Sequence, residues 1–499
     1  MRLVEFSPAS VQAALPDIVQ SIPPEWLRAR RWFAGKSRDL AGIGLFDQAL
    51  ISEDPLVLLA LLEARYADGA SELYALPLLF GAAGGSPLMS LEGPAGPAAV
   101  SDALESPFYQ RLCLQLIAEG AARGPLRFQP LTALRADAGD PKPLGVEQSN
   151  TSIRYGRTWI LKNFRKVSFG ENRDLEVGRF LTLEASFPHT PQVGGCISYS
   201  GRQAAILGVL QRFVENEGDG WTYVRSRLQP GDTPNPPDDI YWAQDGLPGR
   251  DTALLADIEQ LGRITGEMHL ALGSRPDLPD FAPEPVSAAD VEAWLADLRS
   301  QQSTALASAQ TVRQHLPADV QRLLARVILS EAKDLPSWLQ PERSFVAALL
   351  RLTSPDFTKI QIHGDYHLGQ VLKTPEGFSI IDFEGEPARP LEERRAKQPP
   401  LRDVAGMLRS LHYAAHSVSS DERWAGAWAR SAGQRFVQGW LAGSERRFVP
   451  DSDEATKRLL VLFQLAKAYY ELSYELNNRP DWAAVPLRGI ASLLAEVRA

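Results

Sequence analysis

The stretch QIHGDYHLGQVLKTPEGFSIIDFEGEP, from Gln361 to Pro387, constrains this chain more than any other. Asp365 stands five residues before Gln370 and seventeen before Asp382. The intervening KTPEG supplies a turn between strand-like VLK and FSIID. A β-hairpin there returns Gln370 and Asp382 towards one point. Glu384 falls on the same face of the extended segment as Asp382, because alternate strand residues share a face. A solvated acidic loop is the plain alternative, and HGD alone would carry little weight against it. The amide at this spacing, the turn and the apolar-apolar-Asp together favour a built site.

The rest of the chain changes character along its length. In residues 1–105, ALISEDPLVLLALLEARYADGASELYALPLLFG reads as two strands joined by a turn at Ala67 to Ala70. Gly81 to Val100, rich in small residues and proline, reads as a surface loop or linker. From Ser106, SPFYQRLCLQLIAEGAARG has helical spacing and opens a second segment, 106–215. There GVEQSNTSIRYG and RTWILKNF form a hairpin pattern, RDLEVGRFLTLE a helix and AAILGVLQRFV a buried strand. Residues 216–499 are mostly helical, as in DTALLADIEQLGRITGEMHLALG and TKRLLVLFQLAKAYYELSYEL. The Pro-rich Gln229 to Trp242 reads as a surface excursion. Strands followed by helices predict an α+β chain.

Charge and cysteine content remove several function classes. The net charge of −9, from 52 basic and 61 acidic residues, argues against a nucleic-acid partner. The two cysteines form no CxxC pair, so a zinc site or disulfide framework is not indicated. The first residues lack a basic start followed by an apolar run. PLVLLALLEA is too short to span a bilayer. These features predict a cytoplasmic protein with no membrane partner.

The opening stretch suits phosphoryl transfer. That chemistry needs a carboxylate for the attacking hydroxyl, oxygen ligands for Mg²⁺ and a lysine for the phosphates. Asp365 takes the first role, and Gln370 and Asp382, with Glu384, the second. The reading then demands a strand lysine and a helix glutamate upstream. Lys162 in RTWILKNF and Glu176 in NRDLEVGRFL meet that demand by order and position. Taken singly, both would be read as surface residues. The glycine-free loop EQSNTS offers backbone N–H groups and the side chains of Ser149, Asn150, Thr151 and Ser152 to phosphate. Arg154 to Arg179 holds seven basic residues against three acidic, which suits a polyphosphate. Gln211, Phe213 and Val214 lie in the connection whose backbone would meet adenine.

Other residues have two readings. His363, which orients the catalytic loop, and His367 are candidate substrate residues, and His367 equally reads as packing. Lys467, Tyr470, Glu471 and Tyr474 share one helix face. Charges between tyrosines suit a sugar, and equally suit a packed helix with a wet edge. His269 reads as a structural helix residue and Asp403 as a support for the catalytic loop.

HGDYHLGQ followed by IDFEGEP resembles the bacterial maltokinases, within the aminoglycoside-phosphotransferase-like branch of the kinase fold. RRWFAGK at Arg30 resembles the start of that family's N-terminal cap. RPLEERRAKQPPLRDVAGMLRS from Arg389 and YELSYELNNRPDWAAVPLRGI from Tyr470 resemble its later segments. The resemblance implies a bilobal protein-kinase-like fold with a β-containing cap: 1–105 the cap, 106–215 the N-lobe, 216–499 the C-lobe. It implies ATP- and Mg²⁺-dependent phosphorylation of maltose at its anomeric hydroxyl, giving maltose 1-phosphate for α-glucan and glycogen synthesis. Asp365 would be the base, Gln370 and Asp382 the magnesium ligands, and Lys162 the phosphate ligand. Some relatives associate with trehalose synthase. A glucosamine or other sugar or aminoglycoside kinase of the same branch is the nearest alternative. A pseudokinase that binds nucleotide without chemistry is the second.

Overall fold

The computed structural model of the chain describes residues 5–81, 87–93, 96–135, 139–144, 150–228, 252–332, 357–386 and 389–496. Ser149 and the Gln229 to Trp242 excursion lie outside the described residues. The chain divides into two compact units, Met1–Thr182 with Pro191–Glu215, and Leu183–Thr190 with Asn216–Ala499.

The first unit begins with helix α1 (Pro8–Gln20) and an antiparallel sheet of β1 (Leu40–Glu53), β2 (Leu56–Tyr66), β3 (Ser71–Gly81), β4 (Pro87–Gly93) and β5 (Gly96–Asp102). The strand order is β1-β2-β3-β5-β4, and the short segment Lys166–Val167 also pairs with β3. The apolar run in β2 is explained by burial on both faces. Leu56, Leu58, Ala60 and Leu62 pack with Val11, Leu15 and Ile18 of α1. Val57, Leu59 and Leu61 join a second core with Tyr109, Cys113 and Ile117 of α2 (Pro107–Glu119). The expectation of a linker over Gly81 to Val100 is corrected here, since β4 and β5 form a hairpin within it. Proline and glycine are tolerated because β4 is an edge strand.

A second antiparallel sheet contains β6 (Leu126–Pro130), β7 (Pro141–Leu144), β8 (Asn150–Tyr155), β9 (Trp159–Phe164), β10 (Val193–Ser200) and β11 (Ala204–Arg212). Its core residues Phe128, Ile153 and Leu161 belong to the same cluster as Val57 and Tyr109. Helix α3 (Arg173–Arg179) is capped by Asn172, whose side-chain oxygen accepts the Leu175 N–H at 3.0 Å. It passes into a π-type turn over Phe180–Glu184.

The second unit is built on helices α4 (Gly220–Arg227), α5 (Thr252–Leu272), α6 (Ala288–Val312) and α7 (Ala318–Ala332). A short hairpin of β12 (Val371–Thr374) and β13 (Gly377–Ile380) follows. Helices α8 (Leu401–Val418), α9 (Glu422–Gly443), α10 (Asp453–Asn478) and α11 (Ala484–Glu496) complete it. Helices α5 and α9 cross backbone to backbone. A Cβ at Gly262 would lie 2.1 Å from the Phe436 carbonyl, and one at Gly439 2.0 Å from that of Glu259. This close approach, open only to glycine, brings His269 of α5 against Trp440 of α9.

Candidate active site

Asp403, in the first turn of α8, holds the loop from His363 to Asp365 in place. It accepts the N–H of His363 at 2.7 Å and that of Gly364 at 2.9 Å. The Nε2–H of His269 supplies a third hydrogen bond at 3.0 Å. Trp440 donates to His269 Nδ1 at 2.9 Å, which fixes the proton on Nε2. Burial alone would raise the Asp403 carboxyl, but the His269 and backbone donors hold it below its ordinary value. The expected roles of His269 and Asp403 agree with this arrangement.

The loop has little freedom around that anchor. His363 is fully buried, and its Nε2 donates to the Ile381 carbonyl at 2.9 Å. It therefore sits behind the loop and not against a sugar, which corrects its place among the substrate residues. Gly364 adopts φ +86°, and the buried Tyr366 hydroxyl meets that of Thr265 at 2.8 Å. A Cβ at Gly406 would stand 2.6 Å from the Tyr366 carbonyl. The loop and helix can meet this closely because residue 406 has no side chain.

The hairpin has the expected form. Val371 pairs with Ile380 and Thr374 with Gly377. The Ile381 N–H donates to the Gln370 carbonyl at 3.0 Å, so Gln370 is level with the residue before Asp382. Asp382 takes φ +70°, a left-handed conformation costly for a non-glycine residue. Gln370, Asp382 and Glu384 are all half-buried. An amide and two carboxylates form an all-oxygen donor set, which fits a hard cation such as Mg²⁺.

Asp365 opens onto a pocket of about 850 Å³, including the solvent at its mouth, within the second unit. Lys467 bridges Asp365 at 3.3 Å and Glu386 at 2.8 Å. Burial would lower the Lys467 ammonium, but the two carboxylates hold it above its ordinary value. Glu386 also accepts from Arg389 at 2.8 Å, and Arg389 and Arg402 both reach Asp297 at 3.3 Å. Tyr470 offers a ring face, with the Lys467 ammonium 4.8 Å from its centroid. His367 is kept below its usual pKa chiefly by burial, and its Nδ1 accepts the Gly369 N–H at 3.0 Å.

The expected sugar face of α10 is divided. Lys467 and Tyr470 line the pocket, whereas Glu471 and Tyr474 do not. Glu471 is gripped by Arg409 through two hydrogen bonds of 3.0 and 2.7 Å. Tyr474 is 48% exposed, beneath the Arg479 guanidinium. Asp297, Glu386, Arg389 and Arg402 were not anticipated. Glu386 adjoins the motif, but the other three carry no spacing signal.

In the first unit, Lys162 lies on β9 between Ser152 of β8 and Val209 of β11. Its ammonium is 3.2 Å from Asp174, a fully buried carboxylate passed over in the sequence in favour of Glu176. Glu176 lies half-buried on the same helix. Asn150, Thr151 and Ser152 are strand residues, not loop residues, which corrects that expectation. The Thr151 hydroxyl accepts from Arg165 at 2.8 Å. Gln211 is the penultimate residue of β11, and the Phe213 N–H donates to the Thr158 carbonyl at 2.8 Å; Val214 follows, half-buried.

Residues 26–104 match the family described as the maltokinase N-terminal cap domain. The glucosamine kinase of Streptacidiphilus jiangxiensis is 28% identical over 360 residues, covering 70% of this chain and 73% of the relative. That of Mycolicibacterium smegmatis is 26% identical over 370 residues, covering 71% and 80%. A glucosamine kinase solved with glucosamine, ADP and inorganic phosphate superposes with TM-score 0.62 at 21% identity, over 95% of this chain and 97% of that one. A second crystal form of a glucosamine kinase gives 0.64, also at 21%, over 96% and 99%. The fold is thus the kinase-like one, with an antiparallel sheet in its N-terminal cap. The resemblance read from the motifs holds for cap and fold, and the chain is similar to sugar kinases. Among the described residues, no helix is long and apolar enough to cross a membrane.

Proposed function

We propose that this chain transfers the terminal phosphoryl group of ATP to maltose at its anomeric hydroxyl, giving maltose 1-phosphate. The observation that carries the reading is Asp365, half-open on a loop fixed by Asp403 and facing a pocket lined by Lys467 and Tyr470. Asp365 accepts the proton of the attacking hydroxyl. Among the described residues its carboxylate receives a side-chain hydrogen bond from Lys467 alone. Lys162, steadied by Asp174, is assigned to the nucleotide phosphates, with Asn150 to Ser152 and the Gln211 to Val214 backbone as further nucleotide contacts. Gln370, Asp382 and Glu384 would hold Mg²⁺, which neutralises phosphate charge when bound. The product is an activated sugar phosphate suited to α-glucan synthesis in the cytoplasm, and association with trehalose synthase belongs to the same reading.

The pocket's charges support a neutral sugar over an amino sugar. Asp297, Asp365 and Glu386 already pair with Arg389, Arg402 or Lys467. An incoming ammonium would have to displace one of these cations, whereas hydroxyls can bond to both signs. Glucosamine is the second reading, favoured by the curated relatives and the superposed structures. The test is phosphate transfer from Mg·ATP to maltose, glucose, glucosamine and aminoglycosides. Maltose is expected to give the highest kcat/KM. Preference for glucosamine would replace the substrate, and transfer to none of them would overturn the kinase reading.

A further inference from the structure

The second unit holds another large pocket, of about 940 Å³ with the solvent at its mouth, lined from helices α7, α8, α9, α10 and α11. Four arginines line it (Arg326, Arg409, Arg430 and Arg488) against two carboxylates, Glu422 and Glu496. The positive surplus stands out in a chain of net charge −9. Arg488 pairs with Glu422 at 2.9 Å, and Arg409 with Glu471 behind the wall at 2.7 Å.

Two histidines one turn apart on α8 join them. His412 and His416 have ring centroids 4.3 Å apart. Among the described residues, the Nδ1 atoms of both are buried with no hydrogen-bond partner. A buried polar atom left unpaired is costly in a folded chain. Burial first, and then the Arg409 and Arg488 charges, hold both imidazoles below their ordinary pKa, His416 at about 4. Glycines keep the walls thin: a Cβ at Gly489 would lie 2.1 Å from Arg409, and one at Gly426 3.5 Å from Arg430.

We propose that this pocket binds a small phosphate-bearing anion, outside the pocket of Asp365. Several guanidinium groups on one concavity suit phosphate oxygens, to which arginine donates in pairs. His412 and His416 line the same concavity, and a neutral imidazole can donate to a phosphate oxygen.

The test is calorimetric titration of the full chain with inorganic phosphate and, separately, glucose 6-phosphate. Lys162→Ala serves as a nucleotide-site control. Binding should persist in Lys162→Ala and weaken at least tenfold in the Arg326→Gln/Arg430→Gln double variant. His416→Gln should weaken it without changing the melting temperature, which keeps the test open should the double variant misfold. Tighter glucose 6-phosphate binding would identify a sugar phosphate, and the reverse order free phosphate. Unchanged binding in the arginine and histidine variants, loss in Lys162→Ala, or no binding at all would overturn the site. None of these readouts depends on turnover, so they stand apart from the substrate assignment.

Discussion

Asp403 and Asp365 are carboxylates of the same unit, each beside a nitrogen donor, and they are used in opposite ways. The Asp403 side chain is 1% exposed and receives three hydrogen bonds, from two backbone N–H groups and His269. The Asp365 side chain is 21% exposed and leans on Lys467 at a pocket wall. A structural anion is saturated with donors and dry. A reactive one keeps capacity and access, and borrows rigidity from its neighbour. The loop between His363 and Asp365 transmits that rigidity over two residues.

The contrast can be broken from either side. Asp403→Ala removes the anchor and leaves His269 and two loop N–H groups without an acceptor. The expected loss is about 3–5 kcal/mol of stability, read by denaturant unfolding, with turnover falling as the loop loosens. Gly406→Ala pushes a methyl towards the Tyr366 carbonyl and should cost about 1–3 kcal/mol, with a smaller fall in turnover. Lys467→Met should leave the fold intact, because Glu386 keeps Arg389. Sugar kcat/KM should drop on the order of tenfold as Asp365 loses its positioning partner.

The smallest effect concerns a third carboxylate, far from the loop in sequence. Burial raises Glu496 from 4.5 to about 7. The folded chain therefore keeps a proton that the unfolded chain releases. That contribution is full below pH 4.5 and is lost as pH rises to about 7. Glu496→Gln should flatten this part of the stability profile, read from thermal melts between pH 4.5 and 7.5.

What could be read from the sequence follows the same division. The hairpin after Gln370 and Lys162 on a strand were legible, because local pattern and turn chemistry determine them. Gly81 to Val100 misled because composition cannot tell an edge hairpin from a loop when the side chains are small. On α10 the periodicity placed Lys467, Tyr470, Glu471 and Tyr474 on one face, but only the packing of Arg409 shows that Glu471 is spoken for. Asp297, Arg389 and Arg402 meet through the tertiary fold alone, and nothing local marks them.

The most direct measurement is sugar phosphorylation by Asp365→Asn, with Mg·ATP, beside a melting curve for the same preparation. Loss of the proton acceptor should lower kcat by roughly 10²–10⁴-fold while the melting temperature stays at the wild-type value. Wild-type turnover in that variant would contradict the assignment of Asp365 as the base.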